Sequence, residues 1–320
     1  RRQRQMCIRD SLSPASQTQK HALTELDSAM MSTYASEAAI YVVPFLLRLL
    51  LEPTAQAKAG ILELLQLIAC PVPKDMHEAQ AARSKTAAGL PIYLTLLAHT
   101  DPAVRLWAGS VLICFPEQAR AVRPALSAAF RQEDDPQARA NLVEALATIS
   151  SPKRWQWFLH LSRTEKQEFV VFTALSVILL LAHEDTPEAV IEQLAAYLMY
   201  PPLSLEAFVP RSYIRSTCLR SLFHLKKERL QFLVPWLMDQ CEDPDKEIFL
   251  LSYPEKLIVL LFDERTDQQN AADLTEQQRA TLFLLWRRED LWKIGNFALL
   301  LKSYGLPRKR EELAVYLGES

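Results

Sequence analysis

The phrase Asp101-Pro102-Ala103-Val104-Arg105 returns 34 residues later as Asp135-Pro136-Gln137-Ala138-Arg139, each time between two apolar helical runs. A recurrence of this period confines the chain to stacked helical hairpins, because one hairpin cannot bury its apolar face alone and its neighbours must cover it. Length then counts repeats rather than separate globular cores. Glycine is scarce, at 6 residues against 19 prolines, which suits short turns between helices better than β-hairpins. The chain reads as all-α.

Prolines expected to open first helices are Pro44, Pro91, Pro124 and Pro235, since the first helical position has no intrahelical acceptor for its amide. The stripe Val104, Trp107, Ala108, Val111 and Leu112 follows the spacing of a helix buried on one side. Trp107, Val111, Leu142 and Leu146 are expected in the core of adjacent second helices. The longer interval from Pro44 to Pro91 implies a loop insertion at Pro71 to His77, and Tyr200-Pro201-Pro202 implies a second break. Further helices are expected over 153–163, 165–183, 187–199, 208–225, 228–241 and 246–262. After a polar stretch at 263–273, Thr275 reads as an N-cap, Tyr304-Gly305-Leu306 as a helix stop, and Pro307 as the start of the last helix. The expected organisation is a flexible lead-in at 1–14, repeats over 15–262, and a linker with a capping unit over 263–320.

Asp101-Pro102-x-Val104-Arg105-x-x-Ala108 resembles the turn and second helix of HEAT repeats. Asp135-Pro136-x-Ala138-Arg139 is similar, with Leu142 where alanine is usual, and Ile214-Arg215-x-x-Cys218 keeps the helical half. The ending, from Leu274 through Trp292-x-x-Gly295-Asn296 to Tyr304-Gly305-Leu306-Pro307-x-x-Arg310, looks like the C-terminal unit of uncharacterised bacterial HEAT-repeat proteins. The resemblance implies a right-handed α-solenoid of about six hairpins with a divergent helical C-terminal cap, in a bacterial cytoplasmic protein. It also implies a charge ladder in which Arg105 and Arg139 pair with Asp101 and Asp135. It brings no activity with it.

The formal net charge of −2 offers no general attraction to phosphate backbones. The longest apolar run, Phe169 to Ala182, falls short of the ~20 residues that span a bilayer. Cys7, Cys70, Cys114, Cys218 and Cys241 are odd in number and far apart, and read as free thiols in a reducing compartment rather than a disulfide framework or zinc site. The six histidines never fall at metal-ligand spacings, so neither a metal nor any other cofactor is expected. His99 sits where a helix C-terminus favours a cation.

Nucleophile-elbow, phosphate-loop and dinucleotide motifs are missing, so the expected role is noncatalytic. Alkylpurine DNA glycosylases built from HEAT-like hairpins are the enzyme precedent. Trp155, Trp157, Trp236, Trp286 and Trp292 would supply their aromatics, but the overall charge lacks their basic groove. The nearest basic patch contains Arg211 and Arg215 on one helix face. Against it run the acids of the inter-helix turns, from which Asp134, Asp185 and Asp245 emerge as surplus to capping. These features favour a scaffold or adaptor that binds another protein, a basic one if the acids form a ridge. A nucleic-acid-binding solenoid and a client-specific assembly chaperone are the alternatives.

Overall fold

Seventeen α-helices and no strand occupy the described residues of the computed structural model, which are 37–52, 57–70, 77–242, 252–265, 267 and 270–319. The chain divides after Ala182 into two compact units, Arg1–Ala182 and His183–Ser320.

In the first unit the helices are α1 (Glu37–Leu51), α2 (Lys58–Ala69), α3 (His77–Ala87), α4 (Leu90–Leu96), α5 (Pro102–Ile113), α6 (Ala119–Gln132), α7 (Pro136–Thr148), α8 (Trp155–Thr164) and α9 (Glu168–Ala182). Packing runs in series from α2 to α5, α7 and α9, while α4, α6 and α8 lie on α5, α7 and α9 respectively. The residue patterns explain the two roles. Along α6 only Val122, Leu126 and Phe130 are buried, a single stripe at i, i+4 and i+8. By contrast, α9 buries Val170 through Leu179 without a break, as a helix covered on most sides must. Each fully buried aliphatic or Phe side chain contributes about 1.5–3 kcal/mol. Where α5 meets α7, Gly109 admits the Asn141 carboxamide, and a Cβ there would lie 2.4 Å from Oδ1.

The recurring Asp-Pro phrase performs the expected local chemistry. Asp101 Oδ1 accepts from the Ala103 amide at 2.9 Å, and Asp135 Oδ1 accepts from the amides of Gln137 and Ala138 at 3.0 and 2.9 Å. Each aspartate satisfies amides that the first helical turn leaves open, with proline following where no amide is needed.

Several expectations are corrected. Pro91 does open α4, but Pro44 and Pro124 lie inside α1 and α6. A 3-10 turn at Pro116–Gln118 leads into α6, so Pro116 supplies the opening proline there. His77 is not in a loop insertion but begins α3, which packs on α1 and α2; residues 71–76 lie outside the described set. Val111, Leu142 and Leu146 are buried, whereas Trp107 is only half-buried, and Ala108 fills the core position beside it. Cys70 and Cys114 form a disulfide despite lying 44 residues apart, because the adjacent α2 and α5 end side by side with Cα atoms 5.2 Å apart. That bond runs against the reading of these two residues as free thiols of a reducing compartment. Cys218 and Cys241 are free and buried, and burial pushes both thiols up to about 12.

The second unit comprises α10 (Glu188–Met199), α11 (Leu203–Glu206), α12 (Arg211–Leu222), α13 (Val234–Glu242), α14 (Ser252–Leu261), α15 (Glu276–Arg287), α16 (Gly295–Ser303) and α17 (Arg310–Leu317). The break at Tyr200-Pro201-Pro202 ends α10 as expected. Packing pairs α10 with α12 and α13 with α14; α15 lies on both members of the latter pair, and α17 lies on α15.

Ile258 and Phe262 share one apolar core with Leu282, Leu285, Phe297, Leu301 and Leu313. Thr275 caps α15 reciprocally with Gln278, a capping box. After α16 the Gly305 amide donates to Lys302 O and the Leu306 amide to Leu301 O, the double closure of a Schellman stop. Gly305 holds φ +66°, and a Cβ there would meet Asp267 O at 2.1 Å, so no other residue fits without rearrangement. The last helix starts at Arg310 rather than at Pro307.

Candidate functional site

Arginine organises the turn edge of the first unit. Arg105 of α5 donates to His99 O and Thr100 O at 2.8 and 3.0 Å in the turn before its own helix. Its other face forks onto Glu133 in the next turn, Nε to Oε2 at 2.7 Å and Nη2 to Oε1 at 2.6 Å. Arg139, 34 residues later, donates to Phe130 O and Glu133 O, pairs with Glu165 at 2.9 Å, and stacks over the Phe130 ring at 4.1 Å. Arginine–glutamate pairs thus link successive turns, with acids other than those the resemblance implied. Asp101 and Asp135 are occupied in capping, so each guanidinium reaches the glutamate of the following turn.

The ladder acids remain ionised for a physical reason. Burial raises the Glu133 carboxyl, but the hydrogen bond from Arg105, that from the Asp135 amide and the guanidinium charge outweigh it and hold the group below its ordinary 4.5. Burial likewise raises Glu165, and the Gln167 amide with the Arg139 guanidinium brings it down.

A second set of arginines, not anticipated from the sequence, closes helix C-termini. Arg83 donates to Cys114 O at 2.6 Å beyond α5, Arg123 to Ile149 O at 2.5 Å beyond α7, and Arg288 to Cys241 O at 2.6 Å within the last turn of α13. Cationic donors there satisfy carbonyls without helical partners and complement the helix dipole.

Two of the three acids in the turn before α7 are engaged. Glu133 is buried in the ladder and Asp135 caps α7, leaving Asp134 as the exposed carboxylate of that turn. Asp185 is exposed in a 3-10 turn of the second unit, and Asp245 lies outside the described residues. Arg211 pairs with Glu206 at 2.6 Å, while Arg215, on the same helix face, lies over the Trp236 ring at 5.9 Å. The two do not converge on a common point. His99 serves as a turn acceptor, its Nδ1 receiving the Asp101 amide at 3.1 Å.

A groove with a volume of about 480 Å³ lies between the first helices α4 and α6. Leu94, Leu97 and Ala98 form one wall and Ala125, Ala128 and Ala129 the other. Three alanines on α6 cannot reach across to α4, so the space stays open. At the turn end His99, Gln132 and Asp134 line it beside the Arg105–Glu133 pair. Those two charges cancel, and Asp134 gives the mouth its sign. Among the described residues no helix is long and apolar enough to cross a membrane, and no three acidic, His or Cys side chains cluster as metal ligands. No protein-family model matches the chain, and no curated protein matches it in sequence.

Proposed function

We propose that this chain is a noncatalytic helical-repeat scaffold, its first unit an α-solenoid, that holds a partner protein in the α4–α6 groove. The observation that carries this reading is the groove itself: a trough walled by Leu94, Leu97 and alanines, ending at an uncancelled carboxylate, Asp134. A helix presenting small apolar side chains fits such a trough as helices fit grooves elsewhere. A lysine or arginine at the end of that helix would meet Asp134, in keeping with the expectation of a basic partner. The Asp134 carboxylate at the mouth opposes a phosphate backbone.

Filling the groove tests the reading. Ala128→Trp is expected to abolish recovery of a stoichiometric partner from the native host, with folding stability changed by no more than about 0.5–1 kcal/mol for this half-buried surface site. Asp134→Asn is expected to slow association with that partner and flatten its salt dependence. Undiminished partner recovery by the groove-filled, folded chain would contradict the proposal.

A further inference from the structure

A smaller cavity of about 220 Å³ opens between α6 and α8, apart from the α4–α6 groove. Phe130, Trp157 and Phe158 form an aromatic wall, with Phe130 and Phe158 set edge-on to the Trp157 ring at 5.7 and 4.8 Å. Every polar side chain on the remaining wall can donate a hydrogen bond: Ser127, Ser150, Arg131 and Arg154. No carboxylate lines it. Arginines elsewhere in the chain, including Arg83, Arg105, Arg139, Arg211 and Arg288, pair with acids. Among the described residues Arg131 and Arg154 have no acidic partner, and Arg154 lies at 5.9 Å from the Trp157 ring centre. Arg123 adds charge beside Ser150. It donates to Ile149 O and leaves its buried Nε without an acceptor among those residues.

Two unmatched guanidiniums suit a dianion, since an arginine fork binds phosphate oxygens in pairs. The aromatic wall suits a flat apolar group beside it, and the volume lies below the roughly 300–1,000 Å³ of sites for larger ligands. We propose that this cavity is a binding site for a phosphate monoester carried on a single aromatic ring. Arg131 and Arg154 clamp the phosphate, Ser127 and Ser150 donate to its remaining oxygens, and the ring lies against Trp157. The site is independent of partner binding in the α4–α6 groove.

Calorimetric titration of the intact chain with phenyl phosphate tests this. One saturable site is expected, tighter for phenyl phosphate than for inorganic phosphate or benzoate, with no heat of binding for phenol. Arg131→Gln and Arg154→Gln should each weaken binding about tenfold or more, the worth of a lost charge-assisted contact. Arg120→Gln, on the exposed side of α6, should leave affinity unchanged, and all three variants should melt as the parent does. N-acetyl phosphotyrosine amide separates two sources of the same chemistry. Affinity equal to that of phenyl phosphate marks a side chain of a partner protein, and exclusion marks a free small molecule. Phenyl phosphate binding no tighter than inorganic phosphate, or binding unchanged in both folded arginine variants, would overturn the proposal.

Discussion

Phe297→Ala is expected to destabilise the His183–Ser320 unit by about 3–5 kcal/mol, the cost of a large cavity in a packed core. Phe297 is fully buried, meets Trp292 edge-on at 5.2 Å, and belongs to the cluster that joins Ile258 and Phe262 of the preceding hairpin to α15, α16 and α17. Little can relax into the space, because Trp292 is itself tethered through its indole N–H to Leu285 O at 3.2 Å. Denaturant unfolding should show the loss in one cooperative transition that includes α14. A variant that melts residues 275–320 alone, leaving the rest of the unit at parental stability, would show that the shared core does not couple them.

Arg105→Ala is expected to cost about 3 kcal/mol or more, because it strands the buried Glu133 carboxylate. The paired replacement Arg105→Met with Glu133→Leu should recover much of that loss, since two apolar groups of similar size remove the desolvation problem instead of exposing it. The pH dependence follows from the direction of the shift. Glu133 sits below 4.5 in the folded parent, so its contribution is present above that pH and is lost as pH falls through the lower folded value. In Arg105→Ala the guanidinium no longer offsets burial and only backbone amides still favour the carboxylate, so the carboxyl rises relative to the parent and the deficit should shrink on acidification as Glu133 takes up a proton. A deficit independent of pH would mean that lost packing, not the stranded charge, sets the effect.

Helices, caps and breaks were legible because each rests on chemistry within a few residues: Asp101 and Asp135 before proline, Thr275 with Gln278, Gly305 after Tyr304. The partners of Arg105 and Arg139 were not. The proline after it marks Asp135 as the cap, but Glu133 and Asp134 are alike on paper, and only the packed turn decides that the first points inward. The Cys70–Cys114 bond escaped notice because nothing local marks two helix ends that meet 44 residues apart. The helix α3 was missed since its sequence, His77-Glu78-Ala79-Gln80-Ala81-Ala82-Arg83, carries no apolar stripe. The groove shares this limit. Ala125, Ala128 and Ala129 are visible in the sequence, but the space they leave depends on where α4 lies.

A photoreactive side chain at Ala128, in the α4–α6 groove, and another at Glu144, on the exposed face of α7, separate the two surfaces a partner can use. Illumination in the native host should yield a single defined protein adduct from position 128 and none from position 144. An adduct from position 144 with none from 128 would contradict the assignment of the groove as the binding face.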